Sequence, residues 1–170
     1  MSQSGSLAHS GPFVSPLMGI QKDWIDYNGH LNMAFYNVLF DRGVDGGLEQ
    51  LGIGPNYLKD RGHTIFTAEA HVRYVRELHL DHRVTASFHI VDHDEKRLHI
   101  FQELRHADGW LSATSETLAL HINMSGEGGP KVAPFPTDIM ENVETMAATH
   151  ARLPYPQDAG RRIEIRRKTA

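Results

Sequence analysis

The chain has 170 residues, 40% of them hydrophobic and 22% charged, which is the composition of an ordinary globular domain with a buried core. Its net charge of −4 argues against nucleic acid as a partner, and its apolar runs are shorter than the roughly 20 residues that a membrane span requires. Because the sequence contains no cysteine, disulfides, thiolate nucleophiles and cysteine zinc sites are excluded.

The beginning of the chain predicts a disordered segment, a strand and a loop. Residues 1–12 are rich in serine and glycine and have no signal-peptide pattern, so we expect them to be disordered and the protein to be cytoplasmic. Residues 13–22 indicate a first strand, which Pro16 interrupts. Residues 23–32 are polar and contain glycine but also include Trp24, which predicts a loop fastened to the rest of the protein.

A long helix is predicted to follow this loop. Asn32 can cap a helix that begins near Met33. The apolar residues of this helix recur four apart and form one face: Tyr36, Phe40, Val44 and Leu48. Three glycines, each costing a helix interior about 1 kcal/mol relative to alanine, lie within it: Gly43, Gly46 and Gly47. We therefore expect a sheet to approach the helix backbone closely, and the helix to end near residues 52–54.

From Thr64 onward the hydrophobic pattern changes to period two, which is typical of strands. Four strands are predicted, over residues 64–77, 83–92, 97–106 and 110–123. Asp108 and Gly109 predict a tight hairpin turn between the last two. A shorter helix over about 137–151 and an arginine-rich segment complete the chain.

These elements predict an α+β fold, in which an antiparallel sheet of five to six strands curves around one long central helix. The domain is expected over residues 13–152, with 153–170 as a C-terminal extension. One helix covers only part of such a sheet, and pairing with a second copy would cover the remainder. We therefore expect a homodimer.

The most specific pattern lies in residues 23–42. An aspartate precedes a glycine by three residues, and a turn leads into a helix that carries an aromatic residue and then a phenylalanine. Asp26, Gly29, Tyr36 and Phe40 occupy those positions. The pattern resembles the hotdog thioesterases related to 4-hydroxybenzoyl-CoA thioesterase, and the likeness extends to about Pro136. Residues 92–124 and the DYNGH motif of the loop are also similar to the betainyl-CoA thioesterases of bacterial carnitine breakdown.

The resemblance implies a hotdog fold and the hydrolysis of a small acyl-CoA thioester, without a cofactor, by a homodimer or a dimer of dimers. It assigns Asp26 as nucleophile or general base, and both roles remain open. The backbone amides at the helix start, near Met33, would hold the oxyanion that forms when the thioester carbonyl is attacked. Gly29 would allow a ligand to approach the backbone closely. Asn28 and His30 either contact water and the thioester oxygen or only shape the loop.

A second set of candidate residues lies on the strand after the helix. Period two places Thr67, Glu69, His71 and Arg73 on one face, and Ala68, Ala70, Val72 and Tyr74 on the other. The polar face is expected to meet either water or a subunit interface. The resemblance implies an active site at the dimer interface, where Glu69 would act as a second acid or a substrate contact. Four further residues are predicted to contact substrate, Tyr36 and Phe66 through the acyl group and Arg73 and Arg97 through the phosphates of CoA.

Two narrower functions remain as alternatives. One is hydrolysis of betainyl-CoA, whose trimethylammonium group would require an aromatic or acidic pocket. The other is a hotdog domain that binds acyl-CoA without turnover, with Asp26 in a structural role. No metal site is predicted, because the 12 histidines form no recognised ligand spacing; the tightest pairs are His71/His79, His79/His82 and His89/His93.

Overall fold

The computed structural model describes residues 11–165 and 167. Its strands are β1 (Phe13–Val14), β2 (Met18–Gly19), β3 (His63–Tyr74), β4 (Arg83–His93), β5 (Arg97–His106), β6 (Leu111–Asn123) and β7 (Lys131–Val132). Its helices are α1 (Met33–Gln50), α2 (Pro55–Arg61) and α3 (Thr137–His150), with a 3₁₀ turn at Lys22–Trp24. The predicted disorder of residues 1–12 concerns a segment that lies, apart from residues 11 and 12, outside the described residues.

One antiparallel sheet forms most of the molecule. Its strands lie in the order β1-β4-β5-β6-β3, with β2 also paired to β4 and β7 to β6. The predicted α+β architecture, an antiparallel sheet around one long helix, is confirmed. The sheet has seven strands instead of the predicted five to six. Three of the seven have only two residues each, which is too short to leave a periodic pattern in the sequence. Helix α2 was not predicted, and Pro55 starts it instead of only ending the helix before it.

The glycines of α1 allow the sheet to lie directly against the helix. A Cβ atom on Gly47 would lie 2.2 Å from Cγ of Phe88, and one on Gly43 would lie 2.5 Å from Cβ of Ala86. Both distances are far below van der Waals contact, so no larger residue fits without displacing β4. The close approach predicted from the glycines is confirmed.

The core consists of two apolar clusters, one at each end of α1. The cluster at the helix end includes Leu48 and Leu51 and extends under α3. The cluster at the helix start includes Tyr36 and Phe40, together with Trp24 from the preceding loop. Burial of Trp24 fastens the loop that precedes α1 to the body of the protein, as the sequence predicted.

The alternation of side chains along β3 is broken by a β-bulge. Thr67 pairs with Ala119 of β6, whereas Glu69 pairs with the adjacent Leu118, so Ala68 has no direct partner. An extra residue in one strand moves every later side chain to the opposite face.

The bulge changes which side chains of β3 share a face. Directly opposed residues of a sheet share a face, so Thr67 lies on the helix side with Ala119. The prediction that Thr67 shares a face with Glu69, His71 and Arg73 is therefore wrong. Phe66 lies instead on the outer side of the sheet with Glu69.

The two edges of the sheet differ in how they are covered. The edge of β4 that faces away from β5 is covered by β1 and β2. There the Ile90 N–H also donates to Nδ1 of His150 from α3 over 2.9 Å. In residues 11–165 no strand pairs with the outer edge of β3, whose residues 66–70 are all exposed. An uncovered edge of this length is a surface that another chain can extend.

Buried His150 predicts a loss of stability in acid. Its side chain is 2% exposed, and burial together with neighbouring His89 lowers the pKa of His150 to about 4. The unfolded chain, with a histidine pKa of about 6.5, therefore takes up the proton first as the pH falls. Stability should decline between about pH 6.5 and pH 4, by on the order of 3 kcal/mol from this residue.

The matched variant is His150→Asn, which keeps an acceptor for the Ile90 N–H but does not titrate. Urea unfolding between pH 4 and pH 8 should give a shallower decline for the variant than for the wild type. Parallel curves would show that His150 does not cause the acid sensitivity.

Candidate active site

The loop over residues 25–31, here called the Asp26 loop, is a tight turn whose two ends form an antiparallel bridge. Inside it, the Asp26 N–H donates to the His30 carbonyl over 2.9 Å, and the Gly29 N–H donates to the Asp26 carbonyl over 3.0 Å. Gly29 has φ +77°, a conformation that other residues rarely adopt. The backbone of the loop is therefore fixed by its own hydrogen bonds and by one glycine.

The Asp26 carboxylate is half-buried and keeps one oxygen free. Its Oδ1 accepts a hydrogen bond from the Asn28 N–H over 2.8 Å. No donor within residues 11–165 bonds to its Oδ2. Asn28 thus orients the carboxylate through its backbone amide, which agrees with the reading that this residue shapes the loop.

The start of α1 presents an unbonded backbone donor close to this loop. Asn32 caps the helix as predicted, since its Oδ1 accepts from the Ala34 N–H over 2.9 Å. The Asn32 N–H donates to the Trp24 carbonyl over 2.9 Å, which draws the helix start back to the beginning of the loop. The Met33 N–H has no acceptor in the part of the chain that the structure describes. It carries the positive partial charge of a helix N-terminus, which favours a developing oxyanion.

Two large apolar side chains of the Asp26 loop and the helix start are exposed to solvent. Tyr27, the residue after Asp26, is 98% exposed, and Met33 is 65% exposed. Both side chains are available for contact with a ligand or another chain. The sequence reasoning missed Tyr27, because no periodic pattern marks a residue in the middle of a turn.

Tyr36 lies beneath the helix start and belongs to the core. It is 3% exposed, and its ring meets the Tyr74 ring edge-on with 5.0 Å between centroids. Burial raises the pKa of the Tyr36 phenol. The Tyr74 hydroxyl donates to the Met33 carbonyl over 3.3 Å, which ties the end of β3 to the start of α1. The structure therefore places Tyr36 as a support under the predicted site.

His30 faces another histidine and makes no hydrogen bond with Asp26 through its ring. Its ring meets that of His79 edge-on, with 4.9 Å between centroids. His79 in turn lies with Nδ1 3.2 Å from the Gly29 carbonyl oxygen. The two predicted catalytic residues of the loop, Asp26 and His30, therefore lie four residues apart, and their side chains contact different partners.

Glu69 and Arg97 lie elsewhere, in a cavity of about 530 Å³ on the outer face of the sheet, here called the outer groove. Its lining comes from β3, the β4–β5 hairpin, β5, β6 and the C-terminal segment. Sequence reasoning did not identify Glu116, which accepts from His99 Nε2 at 2.7 Å and from the Gly160 N–H at 2.8 Å. Strand pairing brings the residues of the outer groove together. The contact between Glu116 and Gly160 joins residues that are 44 positions apart in the chain.

The cationic residues predicted to bind CoA phosphates already have anionic partners. Arg97 pairs with Asp94, and this pairing raises the pKa of Arg97 and lowers that of Asp94. Arg73 pairs with Asp158 of the C-terminal segment, and Arg161 also lies near that carboxylate. A phosphate would have to displace these carboxylates or share the cations with them.

The predicted site residues therefore form two separate groups within one chain. Asp26, Asn28, Gly29, His30 and Met33 surround the start of α1, while Glu69 and Arg97 line the outer groove. None of the loop residues lines that groove. Phe66, 46% exposed, shares the outer side of β3 with Glu69.

A family comparison identifies the chain. The sequence profile of the thioesterase-like superfamily matches residues 20–143, which include every predicted site residue. The chain belongs to this superfamily. As a thioesterase of this group it is an acyl-CoA thioesterase, and the sheet wrapped around α1 is the hotdog fold that the sequence predicted.

Two named relatives show a more specific sequence similarity than the superfamily match. A betainyl-CoA thioesterase of Pseudomonas aeruginosa is 36% identical over 144 residues, which cover 84% of this thioesterase and 89% of the relative. An L-carnitine dehydrogenase/betainyl-CoA thioesterase of Rhizobium meliloti is 32% identical over 167 residues. That match covers 98% of this chain but 33% of the longer protein.

A chain of similar structure has been solved in complex with CoA. A protein of Staphylococcus aureus in complex with CoA superposes with a TM-score of 0.82 at 28% identity. The superposition covers 91% of this chain and 96% of the other. The described part of this thioesterase has no helix long and apolar enough to cross a membrane.

Proposed function

We propose that this thioesterase hydrolyses betainyl-CoA, with Asp26 as its catalytic carboxylate and the start of α1 as its oxyanion site. One observation carries the proposal: the free Oδ2 of Asp26 and the unbonded Met33 N–H belong to the same short loop and helix start. A nucleophile or base beside a donor for negative charge is the pair of groups that acyl transfer requires.

The reaction begins with the thioester carbonyl oxygen at the Met33 N–H. In one route the Asp26 carboxylate attacks the carbonyl carbon and forms an anhydride, which water then hydrolyses. In the other route Asp26 removes a proton from water, and that water attacks. In both routes a C–O bond forms, the C–S bond breaks and CoA leaves as a thiolate that is then protonated. The Met33 amide stabilises the negative charge on the carbonyl oxygen in either case.

The acyl group is proposed from the relatives and from the aromatic residues that remain accessible. A trimethylammonium group binds the open face of an aromatic ring. Trp24 already has the Arg42 guanidinium 5.3 Å from its ring centroid, and Trp110 has that of Arg76 at 4.1 Å. Phe35 also stacks on Trp24 and His106 on Trp110, so we place the substrate pocket at other aromatic residues.

Open aromatic faces remain in both groups of site residues. Tyr27 is exposed next to Asp26, and Phe66 is exposed on the side of β3 that carries Glu69. An aromatic ring beside a carboxylate attracts a quaternary ammonium ion through both the ring quadrupole and the charge. We propose Tyr27, Phe66 and Glu69 as the acyl-recognition residues.

A homodimer is proposed because the two groups of residues belong to different surfaces of one chain. The strand with the uncovered edge, β3, carries Glu69 at the outer groove, and its last residue, Tyr74, contacts Met33 at the start of α1. Pairing two such edges would extend both sheets and bring residues of the partner subunit to the Asp26 loop. Two dimers can associate into a tetramer through the remaining outer surface. A cytoplasmic location is part of the same proposal.

The test is release of free CoA from a panel of short-chain, aromatic and betainyl esters, followed with a thiol reagent. We expect betainyl-CoA to give the highest kcat/KM, well above an acyl chain of equal size without charge. Release from other esters but not from betainyl-CoA would overturn the substrate. Release from none, in a protein that still binds the esters, would favour the binding protein without turnover.

A further inference from the structure

Three metal-ligating side chains meet beside the Asp26 loop. His30 comes from the loop itself, and Glu77 and His79 come from the segment between β3 and β4. One ligand atom of each lies within 4.8 Å of the others. His30 and His79 are half-buried and Glu77 is exposed, so an ion in solution can reach the cluster.

One ligand is already oriented as in metal sites. A metal-binding histidine commonly donates its second ring N–H to a backbone carbonyl, which fixes the tautomer and the ring. His79 has Nδ1 3.2 Å from the Gly29 carbonyl oxygen. A proton on Nδ1 leaves Nε2 of His79 unprotonated, with its lone pair available to an ion.

The backbone holds the two segments together without the ion. The Leu31 N–H, next to His30, donates to the Leu78 carbonyl, between Glu77 and His79, over 2.7 Å. Both leucines are buried in the same apolar cluster. Two backbone segments that are already hydrogen-bonded to each other and packed in the core therefore carry the ligands. Binding of an ion has little loss of backbone entropy to overcome.

The remaining adjustment is small. Donor atoms bound tetrahedrally at about 2.0–2.1 Å from zinc lie roughly 3.3 Å apart. The three ligand atoms already lie within 4.8 Å of one another, and Glu77 is exposed, so its side chain is free to rotate toward an ion. Two imidazole nitrogens and one carboxylate oxygen suit zinc and the neighbouring divalent transition metals.

We propose that His30, Glu77 and His79 bind one divalent transition-metal ion of the zinc class, with water completing its coordination. The ion joins the Asp26 loop to the β3–β4 connection through side chains, as the Leu31–Leu78 hydrogen bond does through the backbone. Its role is to hold the loop, and this inference goes beyond the proposed hydrolysis.

Binding is tested on the full chain without a histidine tag, by calorimetry with Zn²⁺ and by visible absorption with Co²⁺. The wild type should bind about one equivalent and give the intense visible band of four-coordinate Co²⁺. Glu77→Gln, at an exposed position, and His79→Gln, which keeps an amide donor for Gly29, should each weaken binding by about tenfold or more. His71→Ala, a histidine outside the cluster, should leave binding unchanged.

The role in the loop is tested separately by hydrogen exchange. Zn²⁺ should slow exchange of the amides of residues 26–31 in the wild type and have no such effect in Glu77→Gln. Absence of binding, or binding that both ligand variants retain, overturns the site. Binding without slower exchange in the loop overturns its proposed role. Neither readout depends on thioesterase activity.

Discussion

Replacing Asp26 with asparagine is expected to lower kcat for CoA release by about 10²–10⁴-fold, the contribution typical of a positioned catalytic acid or base. The amide can neither attack the carbonyl carbon nor accept a proton from water. Its Oδ1 can still accept the hydrogen bond from the Asn28 N–H, so the loop should keep its conformation. The melting temperature and the affinity for a CoA ester should therefore stay close to those of the wild type.

Asp23→Asn is the matched control, because Asp23 lies three residues earlier, in the 3₁₀ turn before the same loop. It changes the net charge by the same amount and should retain activity. Equal losses in the two variants would point to local charge rather than to chemistry at Asp26. A wild-type activity that survives in Asp26→Asn would remove this carboxylate from the reaction.

The features that follow from local rules were predictable from the sequence. Asn32 was identified as a cap because its side chain can accept from an amide two residues on, a contact that needs only local backbone geometry. The close approach of the sheet followed from the cost of Gly43 and Gly47 in a helix interior. The role of Asp26 came from the family resemblance of the segment that includes Gly29 and the helix start, and it stays a prediction.

The features that depend on register were not predictable. The bulge at Ala68 exchanged the faces of Phe66 and Thr67, and period two alone cannot show an inserted residue. The cluster of His30 with His79 joins residues 49 positions apart, and no ligand spacing in the sequence marks it.

The positions of Glu69 and Asp26 relative to one another within one chain could not be derived from the sequence, although the resemblance implied a site at the dimer interface. Glu69 and Asp26 were predicted to act together, and a linear pattern does not show that they open onto different surfaces of one chain. If both act in one reaction, the second carboxylate has to come from another subunit. This arrangement makes a prediction that a site within one chain does not make.

Glu69→Gln and Asp26→Asn homodimers should both be strongly impaired, whereas a heterodimer of the two variants should regain about half the activity of the wild-type dimer. In a shared site, Asp26 of one subunit acts with the partner subunit's Glu69. The heterodimer then contains one site with both substitutions and one site with both native carboxylates. Two copies expressed together with different affinity tags, purified in succession through both, give this species free of homodimers.

A heterodimer of Asp26→Asn with Glu95→Gln is the control, since Glu95 is an exposed residue of the β4–β5 turn. This control also retains about half of the wild-type activity, because one of its subunits keeps both Asp26 and Glu69 and completes one site with the other subunit's Glu69. Activity of the Asp26/Glu69 heterodimer no higher than that of its parent homodimers would place both carboxylates in one chain. Full activity of the Glu69→Gln homodimer would exclude Glu69 from the site. Light scattering that gives the mass of one chain would exclude the shared site altogether, because the exposed edge of β3 would then have no partner in solution.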